Sequence, residues 1–347
     1  MSDKGFFSVG LDEWHKVCGL GMNEACIYLV QACGTGKTNL DTSWSVHACC
    51  NYTGISRGRS KKAQENILNS GCELMTQTKA GKHPRFKFIR AEDTELVWLP
   101  KTFIMGAENE SPPLERARQT GDVMLLRLLV DLYAATNIAD EGGVHRDVIF
   151  GSFERRRIGS YAEFEIFGFK SKGLTCCTNH PIVKPHLLDP EEKDRGQDFF
   201  ARISTLTDLG LFNFVPYLME SREGEVLFPL IDPFTGETVD LITGVSETVL
   251  GESFATHINT FDNVIAIPKH FKSVALTGIL FPRYRQQTEL NAAGYEQTRQ
   301  KIETWSKVFG DLEHAISRIY QRKIKGVSKD NQGLHQRWID EGRSYAE

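Results

Sequence analysis

Ile55-Ser56-Arg57-Gly58-Arg59-Ser60-Lys61-Lys62-Ala63-Gln64-Glu65-Asn66-Ile67-Leu68-Asn69-Ser70-Gly71 is the stretch on which the reading of this chain turns. Ser56 is placed as an N-cap, Ile55 before it as half of a hydrophobic staple, and Gly71 as a stop. The spacing therefore predicts a helix to about Asn69. On a helical wheel Ser60, Ala63, Gln64 and Ile67 share one side, with Ala63 and Ile67 as apolar anchors. Arg57, Gly58, Lys61, Lys62 and Glu65 share the other, and Arg59 lies at the flank. The cations stand on the face turned away from the domain, and Gly58 leaves that face bare near the helix start.

Working outward, Met22–Cys33 is apolar enough for a first helix, stopped by Gly34-Thr35-Gly36. A polar loop runs to Leu40, and Asp41 or Thr42 is expected to cap a second helix through Trp44, Val46, Ala48 and Cys49 to Gly54. Beyond Gly71, Cys72–Gln77 and Arg85–Ile89 can alternate as strands around a basic tip at 78–84, giving a β-hairpin.

Helix, helix, helix, hairpin over residues 22–90 resembles the winged helix-turn-helix DNA-binding domains as a class. That resemblance implies a recognition helix in the major groove and a hairpin, or wing, along the backbone. It implies Ser56, Arg57, Arg59 and Lys61 at base edges, the arginines first because their fork matches guanine O6 and N7. Phosphate contacts are expected from Lys37, Thr42, Ser43, Lys62, Lys79, Lys82, Arg85 and Lys87.

Charge placement points the same way. From Ser56 to Arg90 nine Lys/Arg face only Glu65 and Glu73, a balance of +7 in a chain whose net charge is −4, leaving −11 elsewhere. One basic block on an acidic chain is the footprint of a nucleic-acid surface, although charge runs also arise as solvated faces.

Other chemistry finds little purchase. No apolar run reaches bilayer length and Met1–Gly10 has no leader character, so a cytoplasmic, nucleoid-associated protein is expected, with no membrane partner. The eight cysteines read as free, packed thiols. Cys176, Cys177, His180 and His186 can be written as a zinc set, but their crowding matches no standard spacing, so neither metal nor cofactor is expected. Gly34-Thr35-Gly36-Lys37-Thr38 imitates a phosphate-binding loop, yet Gln31 stands where that motif needs glycine. HExxH is absent, and no enzyme is expected.

The expected fold class is α+β: a winged helix-turn-helix over 1–95, a linker over 96–120, a second winged-helix-like domain with insertions over 121–270, and a strand plus long helix and polar tail over 271–347. The second domain rests on an apolar helix from Asp122, a helix over Asp198–Leu209 and a hairpin of Leu211–Leu218 with Val226–Ile231. It echoes the first at an offset near 100 residues. Glu220, Glu223 and Glu225 crowd its hairpin tip and repel phosphate, which assigns this domain to packing, dimerisation or a protein partner. Arg155, Arg156 and Arg157 read as a solvated turn with local salt bridges, or as auxiliary phosphate contacts. Ile302, Trp305, Phe309, Leu312, Ile316 and Ile319 form a seam on the long helix, for the chain's own core or for a homodimer. The tandem arrangement resembles plasmid and phage replication initiators.

The functional expectation is a sequence-specific binder of double-stranded DNA, acting as a homodimeric transcriptional regulator, with a mobile element as one setting. A replication initiator, or a winged-helix scaffold in a defence or chromosome-organising complex, stands as the alternative.

Overall fold

The computed structural model describes residues 5–36, 38–81, 83–106, 110–137, 142–161, 164–187, 197–221, 226–231, 257, 259–269, 271, 273–284 and 300. These form an α+β fold with eight α-helices and antiparallel sheets. Contacts divide the chain into two units, the described residues of 1–155, 170–238 and 273–298 in the first and those of 156–169, 239–272 and 299–347 in the second.

In the first unit, β1 (Phe6–Gly10) pairs antiparallel with β5 (Leu96–Pro100). Between them run α1 (Leu11–Leu20), α2 (Met22–Cys33), β2 (Asp41–Thr42), α3 (Val46–Thr53), α4 (Arg57–Asn69), β3 (Met75–Lys79) and β4 (Arg85–Phe88). Ten of the twelve residues of α2 are buried, so it is the central post of this half. On α4, by contrast, only Ser60, Ala63, Gln64 and Ile67 are buried. Glycine at position 34 is required where α2 ends, because a Cβ there would lie 2.2 Å from Trp44 Cγ.

Two expectations for this segment are corrected. Asp41 and Thr42 do not cap a helix: they are a short strand paired with β4, giving the sheet order β2-β4-β3. Ser45 is the cap of α3, accepting from the His47 N–H at 3.4 Å. Ser56 stands at the N-cap of α4 as expected, but its side chain makes no capping bond.

The stretch 96–120 is not a linker. It carries β5, α5 (Thr102–Met105) and α6 (Pro113–Gln119), and buries Val97, Leu99, Phe103, Ile104, Leu114 and Ala117 in the core. Its irregular composition concealed elements too short to show a period.

From Asp122, which caps α7 (Val123–Ala134) by accepting from Met124 N–H at 2.8 Å, the chain repeats a local arrangement. Helices α2 and α7 start at 22 and 123 and end at 33 and 134, an offset of 101 residues at both ends. Thr35 and Thr136 follow at that same offset, each in an antiparallel bridge, to Thr42 and Val144 respectively. Each hydroxyl donates three residues back, to Ala32 O at 2.6 Å and Tyr133 O at 2.7 Å. The second helix of this later half is α8 (Gln197–Asp208), followed by β8 (Phe212–Met219). β8 pairs along its whole length with β11 (Ala275–Pro282) and also with β9 (Val226–Pro229). Val144 N–H donates to Leu280 O on β11 at 2.7 Å, so the order bridge residue, last strand, first strand recurs as in β2-β4-β3.

Strands β6 (Ile149–Tyr161) and β7 (Phe164–Cys176) form a long hairpin where the expectations placed no strand. Arg155, Arg156 and Arg157 are therefore exposed strand residues, not a turn. In the second unit, Phe164–Phe169 of β7 pairs antiparallel with β10 (Asn263–Pro268), and Arg157 pairs with Glu165 at 3.0 Å. The helix expected over Ala292–Lys323, its seam (Ile302, Trp305, Phe309, Leu312, Ile316 and Ile319) and the tail lie outside the described residues. Among the described residues no helix is long and apolar enough to cross a membrane.

Candidate nucleic-acid interface

The left-handed Gly54, at φ 66°, ends α3 and turns the chain into Ile55, which is buried. Thr53 fixes that turn, donating its hydroxyl to Cys49 O at 2.6 Å and accepting from Ile55 N–H at 3.2 Å. Inside the turn, Ser60 donates its hydroxyl to Ile55 O at 3.3 Å. Two short helices are thus locked at a fixed angle, and α4 shows solvent a face of Arg57, Gly58, Arg59, Lys61 and Lys62, all exposed. Only one ion pair compensates this row among the described residues, Lys61 with Glu65 at 3.6 Å, and both partners are well exposed. Exposed pairs of this kind hold a side chain weakly, so Lys61 stays available to an anion.

The hairpin of β3 and β4 adds its own cations. Along β4, Arg85 and Lys87 are exposed while Phe86 and Phe88 are buried, the strict alternation of a half-buried strand. Phe88 meets the ring of Tyr28 on α2 edge-on, centroids 5.0 Å apart, anchoring the hairpin to the helical layer. Lys79 stands opposite Arg85 at the last described pair before the tip. Lys87 lies deeper, between Thr76 of β3 and Asp41 of β2.

A cleft of about 260 Å³ runs between the two elements. Arg57, Lys61, Gln64 and Leu68, one stripe of α4, form one wall, and Gln77, Gly81, Pro84 and Phe86 of the hairpin form the other. Gln64 is only 8% exposed, and its amide nitrogen has no hydrogen-bond partner among the described residues.

Of the residues expected at bases, Ser56, Arg57, Arg59 and Lys61 are all exposed on or beside α4. Of those expected at phosphates, Ser43, Lys62, Lys79, Arg85 and Lys87 are exposed. Thr42 is not available: it is buried at 3% exposure, and its hydroxyl accepts from Trp44 N–H at 3.1 Å. Lys37 and Lys82 lie outside the described residues. Arg90 belongs to the basic block by sequence but turns inward, donating to Ser8 Oγ at 3.2 Å, Ser8 O at 2.6 Å and Asn39 O at 2.8 Å. Arg155 is likewise engaged, donating to Val274 O at 2.8 Å.

Burial pushes the Cys26 and Cys49 thiols up to about 12, so neither supplies a thiolate nucleophile. No group of three or more metal-ligating side chains comes together among the described residues. His180 Nδ1 accepts from Ile182 N–H at 3.2 Å, the role of a turn-closing side chain.

In comparisons with known proteins, no family model, no curated protein and no solved structure matches the chain.

Proposed function

We propose that residues 22–90 form a winged helix-turn-helix and that the protein binds double-stranded DNA through it, reading sequence with the exposed face of α4. One observation carries the reading: of the first six residues of α4 all but buried Ser60 face solvent, and those five are four cations and a glycine, beside a hairpin that presents further cations from its own exposed positions. The element order supports it, because the strand between α2 and α3 joins the hairpin as its third member, β2-β4-β3. A helix meant only to be solvated would carry compensating acids along the same face, and Glu65 is the one acid there.

The protein acts as a regulator of the DNA it occupies, and the later half of the first unit holds a partner or a second copy. Its helix α8 exposes Ala201, Ser204 and Asp208, without a single exposed cation, so it lacks the charge that a duplex would need.

The test is selection of a random duplex pool by the purified full chain, sequenced and repeated across a salt series. An enriched motif with affinity falling steeply in salt is the expected result. Failure to retain any duplex at low salt removes the reading, and the basic face then has to belong to an acidic protein partner.

A further inference from the structure

The cleft between α4 and the hairpin has the build of a seat. At about 260 Å³ it falls just below the range of sites for drug-sized ligands, yet holds far more than one water. Its chemistry is two-sided. Val46, Leu68, Pro84 and Phe86 line it with apolar surface, while Arg57, Lys61 and Gln64, side chains that carry N–H donors, line it as well. The Gln77 amide is already committed, donating to Lys79 O at 3.2 Å. Glu65 also lines the cleft, an opposing charge whose carboxylate is paired with Lys61 at 3.6 Å.

The decisive group is Gln64. An amide more than nine-tenths buried leaves its Nε2 without an acceptor. Buried donors are nearly always paired, and an orphan at a ligand cleft points to an acceptor that arrives from outside. Arg57 approaches from the same stripe of α4 and has no partner of its own among the described residues. Two cations and a neutral donor around an apolar floor match an oxyanion attached to a compact apolar ring.

We propose that this cleft seats one deoxyribose-phosphate unit of the bound DNA backbone, the sugar against Phe86 and Leu68 and the phosphate oxygens on Gln64 Nε2, Arg57 and Lys61. The proposal rests on the DNA-binding reading and changes one part of it. Arg57 and Lys61, expected from sequence at base edges, hold the backbone between helix and wing. Base reading falls to the outer positions of α4, with Arg59 the remaining arginine.

The experiment compares wild type with Arg57→Ala, Gln64→Leu and Gln64→Glu on the selected duplex and on a scrambled duplex of equal length, each across a salt series. Arg57→Ala and Gln64→Leu are each expected to lose about tenfold on both duplexes alike, and Gln64→Glu more than either because a carboxylate then faces a phosphate. The Arg57→Ala salt slope falls by about one, and that of Gln64→Leu does not change. Gln64→Glu keeps the side chain's shape and Arg57 is exposed, so these two carry the test even if Gln64→Leu fails to fold. If Arg57→Ala alters which bases are preferred, or if both Gln64 variants bind as wild type does, the seat is overturned and DNA binding stands. If wild type retains no duplex at all, seat and DNA reading fall together. Inorganic phosphate and a deoxynucleoside monophosphate are added as competitors. Either one displacing duplex at micromolar concentration places a free ligand in the cleft and overturns the backbone assignment.

Discussion

His186 is a histidine with nothing to bond. It lies at 1% exposure, and neither ring nitrogen has a hydrogen-bond partner among the described residues. Burial holds its pKa down to about 4, helped by Arg202 and Arg127 and opposed by Asp122. Because that folded value lies below the ordinary 6.5, the unfolded chain takes up the proton first as pH falls. The contribution is complete above about pH 6.5 and is lost progressively toward pH 4, amounting to about 2 kcal/mol at pH 5. Urea unfolding at pH 7.5 and pH 5 should show the wild type losing about 2 kcal/mol more than His186→Leu over that interval. Equal losses in the two proteins would mean that the imidazole is solvated in the folded state. Arg90 makes the opposite case at the same scale, a cation whose two terminal nitrogens are both employed inside. Arg90→Ala severs three hydrogen bonds to Ser8 and Asn39 and should cost about 2–4 kcal/mol in the same assay. Its DNA salt slope should match that of wild type. A reduced slope would place Arg90 on the interface and discredit the division of the basic block made above.

At the scale of elements, the turn between α3 and α4 decides whether the two helices present a usable face. Gly54 occupies the left-handed region with its nearest foreign atom, Glu115 Oε1, 3.4 Å from where a Cβ would sit. A side chain therefore fits in space but strains the backbone, and Gly54→Ala should destabilise by about 1 kcal/mol, read as a lowered urea midpoint with unchanged slope. No loss would show that the turn relaxes out of that region. Helices α2 and α4 were legible in the sequence because each carries enough turns for a periodic apolar pattern, and Ser56 and Gly71 bracket α4 with cap and stop residues. β2 was not legible, since two residues cannot show alternation and Thr42 resembled a cap. β6 escaped because Gly151 and the run Glu154–Arg157 interrupt the period-two pattern. The exposed cations of the candidate site were legible as a wheel face. The Gln64 donor was not: it sorted with the buried side of α4, and only the packing around it shows that its amide is left without an acceptor.

For the molecule as a whole, the recurrence at 101 residues raises the question of whether both copies of the arrangement touch DNA. The later copy keeps the scaffold, with Thr136 bridging Val144 and Val144 bonded to Leu280, but not the charge. Where α4 exposes Arg57, Arg59, Lys61 and Lys62, α8 exposes Ala201, Ser204 and Asp208, and its one basic residue, Arg202, is tied to Asp122 at 2.7 Å. On the DNA-binding reading, a duplicated scaffold whose later helix lacks exposed cations assigns the electrostatics to the first copy. Among the described residues the first copy then offers seven exposed cations, Arg57, Arg59, Lys61, Lys62, Lys79, Arg85 and Lys87, worth a slope of about −6 per chain if each meets a phosphate. Ser204→Glu on α8 should leave both affinity and slope within about twofold of wild type, whereas Lys62→Glu on α4 should weaken every duplex and flatten the slope by at least about one. Binding by fluorescence anisotropy across a salt series measures both. If Ser204→Glu reduces affinity as strongly as Lys62→Glu does, the later copy lies on the duplex as well, and its uncharged helix must then contact DNA through hydroxyls and backbone N–H groups instead of cations.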